Sequence, residues 1–152
     1  MFLRYYDVLP ILAQRVEAVV LEGPENWLPG LARESLDGGN RLLVEVGLGQ
    51  AFPLRKTVEV TVGRWARRGS TAVLPLSWQA PSGPALLPTM NAEMEIVPLG
   101  SDRTQLALSA NYTPPLNGIG KLADRALLHR VAEATVKDFV DRVAQRIQAA
   151  VD

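Results

Sequence analysis

His129 is the single histidine of the chain and the first residue to consider for chemistry. An imidazole titrates near neutral pH, so it could act as a general base or as a polar anchor for a ligand. Arg125 precedes it by about one helical turn, and its guanidinium could bind a carboxylate or a phenolate. Each residue also has a structural alternative. His129 could hydrogen-bond to the sheet or a nearby loop, and Arg125 could pair with a carboxylate such as Glu22 or Asp124, or extend its charged end to solvent.

A second group of residues could line a pocket for a planar or apolar ligand. Aromatic rings and methionine thioethers provide large, adaptable apolar surfaces, although their commoner role is to fill a core. If the fold encloses a cavity, we expect several of them to contact it. The candidates are Trp27, Trp78, Met90, Met94, Tyr112 and Phe139.

Composition and motifs exclude several kinds of site. The chain has no cysteine, which excludes thiolate catalysis, disulfides and cysteine–zinc sites, and one histidine argues against a histidine-based metal site. No glycine-rich segment has the downstream Lys-Ser/Thr of a phosphate-binding loop, and no Gly-x-Ser-x-Gly elbow occurs. No pair of carboxylates is spaced for acid–base catalysis. We therefore predict neither a metal nor another cofactor.

The charge balance argues against nucleic acid and membrane partners. Sixteen basic residues offset sixteen acidic ones, so the formal net charge is zero. This balance does not favour binding to the phosphate backbone of a nucleic acid or to an anionic lipid surface. No apolar run reaches the roughly 18 residues of a membrane span, and the first residues lack the features of a signal peptide. The sequence predicts one cytoplasmic domain over residues 1–152.

One long amphipathic helix must position His129 and Arg125. Over residues 118–152, apolar side chains recur at steps of three and four, which places them on one helical face. About 30 helical residues make a rod of roughly 45 Å, which needs a large apolar partner. His129 falls within this apolar stripe. The stripe consists of Leu128, Ala132, Val136, Phe139, Val140, Val143, Ile147 and Ala150.

The rest of the chain predicts a sheet as that partner. A strand at 2–9, a helix at 10–21 and a second short helix or turn at 25–32 come first. The apolar period then changes to two, and a turn is predicted at 67–70. Pro75 inside one predicted strand indicates an edge position or a bulge. Short connections favour an antiparallel sheet in an α+β fold. The later strands are predicted at 41–48, 56–62, 71–78, 89–97 and 104–112.

This order of elements is similar, over the whole chain, to the START-like superfamily, also called SRPBCC or helix-grip. Pro24-Glu25-Asn26-Trp27 resembles the acidic-then-Trp segment that follows the family's first helix. Residues 112–120, with Asp124-Arg125 and residues 129–132, resemble the tail of uncharacterised bacterial members. The family includes polyketide cyclases, lipid-transfer domains and pollen allergens. The resemblance implies a curved antiparallel sheet of about six strands around a long C-terminal helix, with an apolar cavity between them.

Three functions remain open at this point. The predicted one is binding of a small lipid-, sterol- or polyketide-like molecule in the cavity, with Arg125 and His129 as polar anchors. The second is a polyketide cyclase or aromatase that uses His129 for proton transfer. The third is a protein that acts through its surface and fills its interior with its own side chains. An open pocket of roughly 300 Å³ or more would support the first two. The sequence assigns no oligomeric state.

Overall fold

The architecture is an antiparallel sheet packed on a long C-terminal helix. The structure is a computed structural model, and it describes residues 2–36, 39–47, 55–79, 89–113 and 125–152. These residues form eight strands, two α-helices and one turn of 3₁₀ helix at Pro24–Asn26. In chain order the elements are β1 (Phe2–Leu9), α1 (Ala13–Glu22), β2 (Ala32–Leu36), β3 (Gly39–Gly47), β4 (Arg55–Val62), β5 (Ala66–Arg68), β6 (Thr71–Gln79), β7 (Thr89–Leu99), β8 (Arg103–Thr113) and α2 (Arg125–Val151).

The sheet places the first strand beside the last one. Its order is β1-β8-β7-β6-β4-β3-β2, with β5 paired to β6 off this path, and every pair is antiparallel. In the register, Phe2 faces Asn111 and Leu9 faces Thr104. Because β1 and β2 are opposite edges, the chain between them must cross the sheet. It does so through α1, which packs on β7, β8 and α2.

Alternation along the strands separates an apolar face from a polar one. Successive side chains of a strand point to opposite faces, so every second residue points towards α2. On β7 this inner set is Met90, Ala92, Met94 and Ile96, all buried. The Trp78 ring of β6 meets the Phe139 ring of α2 at a centroid distance of 5.1 Å, which identifies this face as the one under the helix. The core therefore lies between the sheet and α2.

Pro75 occupies a bulge in an interior strand. β6 has β7 on one side and both β4 and β5 on the other. Val62 pairs with Leu76 and Ala66 pairs with Val73, so three residues, 63–65, face the two at 74 and 75. A proline is tolerated where the ladder is interrupted in this way. Of the two predicted alternatives, the bulge is therefore the one found.

The predicted α+β helix-grip architecture is confirmed, with corrections to individual elements. The sheet has two strands more than the six predicted: β2, and β5, which includes part of the turn predicted at 67–70. The second short helix is only the 3₁₀ turn at Pro24–Asn26. Helix α1 begins at Ala13 rather than at residue 10, because Leu12 is still extended and serves as its N-cap. Helix α2 begins at Arg125 in the described residues, and residues 118–124 lie outside them. Ala150, predicted within the buried stripe, is exposed.

Candidate functional site

One end of the sheet gathers several of the predicted ligand-contacting residues. β3, β6 and β8 finish at this end, and β4 and β7 start there. The register puts Trp78 opposite Met90, and Met90 opposite Tyr112, so the three inner side chains form one row across adjacent strands. Phe139 joins them from α2 through its ring contact with Trp78. We call this region the site end of the sheet.

The row forms part of the buried core. Trp78, Met90, Tyr112 and Phe139 are all buried, as is Met94. Met94 lies four residues further along β7, about 13 Å from Met90 along the strand. Its register partners are Leu74 and Leu108, so it belongs to the middle of the sheet. These residues all belong to the core, the commoner role given to them above, and contact with a ligand stays a prediction for each of them.

Trp27 lies on a segment anchored far from His129. It is buried and follows the 3₁₀ turn, whose Glu25 carbonyl accepts a hydrogen bond of 2.7 Å from Arg146. Arg146 is 17 positions after His129 in the same helix, a distance of about 25 Å along its axis. The structure therefore does not place the Trp27 segment beside His129.

His129 is half-exposed and paired with a carboxylate. Its side chain is 38% exposed, and Nε2 lies 2.6 Å from Oε1 of Glu133, which is 57% exposed. His129 shares its angular position on α2 with Ile147, as predicted, yet Ile147 is fully buried. The two are 18 residues apart, about 27 Å along the axis, so the same helical face is covered at one end and accessible at the other. The histidine is thus half-exposed at the groove-lined end of the apolar stripe, and its role as an anchor or a base stays a prediction.

The phenol of Tyr112 is a third proton-carrying group in the region of His129 and Glu133. Burial raises the pKa of its phenol, and the negative charge of Glu133 raises that pKa further. Both causes favour the neutral phenol, which can still donate a hydrogen bond at neutral pH. An imidazole, a carboxylate and a protonated phenol therefore occur in one region. Spacing within a helix could have indicated His129 with Glu133, but Tyr112 comes from a strand far away in sequence.

A groove of about 550 Å³ runs between β1 and the first half of α2. We call it the β1–α2 groove. It includes the buried apolar side chains of Leu3 and Val136, and it carries polar side chains as well. The groove is therefore amphipathic. Its lining consists of Phe2, Leu3, Arg4, Tyr5, His129, Arg130, Glu133, Ala134, Val136 and Lys137.

Polar contacts tie β1 to α2 beside this groove. The hydroxyl of Tyr5 donates to Oδ1 of Asp141 at 3.0 Å, and Lys137 Nζ donates to Oδ2 of the same carboxylate at 2.6 Å. Lys137 Nζ also lies 5.6 Å from the centroid of the Tyr5 ring. Burial, the bond to Asp141 and that residue's charge raise the pKa of Tyr5. The cluster fixes the spacing between strand and helix, and hence the width of the groove.

The other predicted anchor gives no contact to report. Arg125 is the first residue of α2, and its side chain lies outside the described residues.

No group of three or more potential metal-ligating side chains occurs within the described ranges. Glu133, Tyr5 and Lys137 were not predicted as site residues. The pairs His129–Glu133 and Lys137–Asp141 both have the four-residue spacing of neighbours on one helix, so that spacing was the available signal.

Three solved structures of similar shape cover nearly the whole chain. The Zhui aromatase/cyclase from Streptomyces sp. R1128 has a TM-score of 0.62 at 19% identity, covering 100% of this chain and 96% of its own. A conserved protein from Geobacillus kaustophilus has a TM-score of 0.61 at 18% identity, with coverages of 99% and 97%. A START superfamily protein from Mycobacterium smegmatis has a TM-score of 0.50 at 21% identity, with coverages of 95% and 97%. Neither a protein-family model nor a curated protein matches the sequence.

These similarities, together with the sheet and the long C-terminal helix, define the fold. The chain has the START-like, or SRPBCC, helix-grip fold. At these identities the comparison concerns fold and carries no activity across. In the described part of the chain, no helix has the length and apolar character required to traverse a membrane.

Proposed function

We propose that the protein binds a small hydrophobic molecule between the sheet and α2, in the β1–α2 groove. The observation that carries this proposal is the amphipathic lining of a groove of about 550 Å³. That volume falls within the roughly 300–1,000 Å³ of small-molecule sites. The exposed ring of Phe2 and the half-buried Ala134 supply apolar contact. His129 and Glu133 supply hydrogen-bonding groups for one polar end of a ligand.

The packing of the core supports this location for the ligand. Trp78, Met90 and Tyr112 are buried by protein atoms, so an occupant of the space they fill would have to displace them. The groove, by contrast, is open without any rearrangement of the described core. A lipid-, sterol- or polyketide-like molecule would lie along β1 with its polar group towards His129. Tyr5, Lys137 and Asp141 would hold the groove at a fixed width.

A cyclase-type enzyme is the second candidate, and a specific observation favours it. His129 and Glu133, which both line the β1–α2 groove, together offer a base and a carboxylate that can orient it. Cyclisation of a polyketide-like chain requires proton removal beside a carbonyl and stabilisation of the resulting oxyanion. The fold similarity to an aromatase/cyclase is compatible with this chemistry.

Ligand binding is tested by thermal shift and native mass spectrometry with fatty acids, sterols and aromatic polyketides. We expect at least one class to raise the melting temperature of the wild-type protein. Ala134→Phe should abolish that shift, because Ala134 lines the groove and a phenyl ring would occupy it. Ala149→Phe is the matched control, since it makes the same change at an exposed position of the same helix. No stabilising compound, or equal shifts in both variants, would overturn the proposal.

His129→Ala separates binding from catalysis. Its partner Glu133 is exposed, so the loss of this side-chain contact should change the free energy of unfolding by less than about 1 kcal/mol. If the protein only binds its ligand, affinity should fall modestly. If His129 is an acid–base catalyst, turnover of a polyketide-like substrate should fall about 10²-fold or more, while binding is largely kept. Turnover that is unchanged in His129→Ala would exclude a catalytic role for this residue.

A further inference from the structure

The outer face of the sheet, which points away from α2, carries an unbroken row of uncharged polar side chains. Thr61 faces Ser77, Ser77 faces Asn91, and Asn91 faces Asn111, on the adjacent strands β4, β6, β7 and β8. We call these four residues the polar row. Phe2, on β1, faces Asn111 and extends the row to the sheet edge. From Thr61 to Phe2 the extended row spans four strand spacings of about 4.8 Å, which is a length of roughly 19 Å.

The side chains of the polar row are available for a ligand. Although they are direct neighbours, none forms a hydrogen bond with another residue of the described chain. Amides and hydroxyls both donate and accept, so each can bind a ligand hydroxyl in either direction. Phe2 is 60% exposed, which leaves its ring accessible at one end of the row.

Charges beside the polar row are already paired. Arg68 Nη2 donates to both carboxylate oxygens of Glu93 at 2.8 Å. Arg4 Nη1 donates to Glu95 at 3.1 Å and to Ser109 at 2.7 Å. These contacts neutralise the flanking charges, so the surface does not favour an ionic ligand.

The same residues line a groove of about 570 Å³. Gly63 and Pro75, which meet at the bulge, also line it, and a hydrogen bond of 2.8 Å joins the Gly63 N–H to the Pro75 carbonyl. A side chain at position 63 would crowd the proline, because its Cβ would lie 3.0 Å from Pro75 Cβ. Glycine at position 63 thus keeps this part of the groove free of a further side chain.

We propose that this outer groove is a binding site for a neutral oligosaccharide. A sugar chain presents hydroxyls along its edges, which match the alternating donors and acceptors of the polar row. It also presents apolar C–H faces, which can stack on an exposed aromatic ring such as Phe2. The 19 Å length fits a short oligosaccharide better than a single sugar. The polar row is separate from the β1–α2 groove, because it and α2 lie on opposite faces of the sheet. Phe2, on the edge strand β1, lines both grooves.

The test is a titration of ¹⁵N-labelled protein, followed by NMR, with maltotriose, cellotriose and chitotriose. We expect amide shifts at the polar row for at least one trisaccharide, with an affinity unchanged by added NaCl, since no ion pair forms. Asn91→Ala and Asn111→Ala should each weaken binding about fivefold, through the loss of one or more hydrogen bonds. Gln105→Ala is the matched control, because it removes the same amide group from the same face of β8, away from the groove.

The remaining outcomes decide against the proposal. Absence of shifts at the polar row with all three sugars, at concentrations up to their solubility, would overturn it. An equal loss of affinity in Gln105→Ala would show that the polar row is not the site. A preference for a charged oligosaccharide, or for an uncharged Ser- and Asn-containing peptide over every sugar, would also overturn it. Folding of each variant is verified from the dispersion of its own amide spectrum, so loss of binding cannot be confused with loss of structure.

Discussion

The two halves of α2 are attached to the protein in different ways. In the second half, Arg142 donates to the Glu45 carbonyl on β3, and Arg146 donates to the Glu25 carbonyl on the 3₁₀ turn. Arg15 of α1 in turn donates to the Val151 carbonyl at the end of α2. In the first half, His129 and Lys137 contact the carboxylates of Glu133 and Asp141, which belong to α2 itself. Among the described residues, it is therefore the second half that bonds to the backbone of several other elements.

Both halves contribute to the core, the first with Ala132 and Val136 and the second with Val143 and Ile147. The first half differs in that His129 and Glu133, on the groove side, remain accessible. The difference teaches that the second half is bonded to several neighbouring elements, whereas the first half carries the polar side chains of the groove. Substitutions that affect stability and substitutions that affect ligand binding should therefore be separable.

The largest effect should come from Ile147→Ala. Ile147 is fully buried, so removing three carbons leaves a cavity and should lower the free energy of unfolding by about 2–5 kcal/mol. Urea denaturation followed by circular dichroism measures this change. The neighbouring Gln148→Ala is the control, because its side chain is exposed and the change should stay within about 0.5 kcal/mol. A loss below about 1 kcal/mol in Ile147→Ala would mean that the second half is not the anchored one.

An intermediate effect is expected at Asp138, on the boundary between the halves. Its Oδ2 accepts a hydrogen bond of 3.0 Å from the Gly47 N–H at the end of β3. Asp138→Ala removes that acceptor and should cost about 1–3 kcal/mol. Gly47→Ala should cost a similar amount, because a Cβ there would lie 2.8 Å from Oδ2 and displace the carboxylate.

Combining the two substitutions sharpens this prediction. Both remove the same contact, so the double variant should lose less stability than the sum of the single ones. Asp138→Asn is the control, since its amide oxygen can still accept the bond. Strict additivity in urea denaturation would show that the carboxylate and Gly47 do not act as a unit.

The smallest effect concerns Tyr112 and appears only in alkali. Its pKa is raised in the folded protein by burial and by Glu133, so the unfolded chain releases the phenolic proton first as pH rises. The stability that depends on the neutral phenol is intact below about pH 10 and falls above it, by at most about 1.4 kcal/mol per pH unit. The melting temperature of Tyr112→Phe should therefore decline less between neutral and alkaline pH. Equal declines in the two proteins would contradict a buried Tyr112. The raised pKa of Tyr5 contributes equally to both.

Periodicity predicted the long elements because each of them buries one regular face. The β7 and β8 alternation and the α2 stripe are strong patterns of this kind. β5 was missed because three exposed residues have no apolar pattern, and the strand exists only through its pairing with β6. β2 was missed because Pro29-Gly30 sits inside the segment predicted as a helix or turn, and the strand that follows depends on its partner β3.

The candidate site was less predictable than the fold. Trp78, Met90 and Tyr112 come together through the register of three strands, which the composition of any one strand does not specify. Trp27 was grouped with them by residue type, yet its segment is anchored at the other end of α2. His129 was placed correctly around the helix axis, but its exposure depends on where the sheet stops along that axis. In both cases the missing information is a distance along an element rather than the choice of its face.

The pairing of β1 with β8 has a consequence for how the chain folds. Arg4 and Ser109, which meet across this pair, are 105 residues apart. At ordinary rates of synthesis, β1 leaves the ribosome roughly 5 to 20 seconds before its partner exists. During that interval its apolar residues Phe2, Tyr6 and Val8 have no sheet to join. Arg4 and Asp7 interrupt this apolar segment with charge, as gatekeeper residues do in aggregation-prone strands. Completion of the sheet must therefore be a late step, and a comparatively slow one, because closing so long a loop precedes any gain from the pairing.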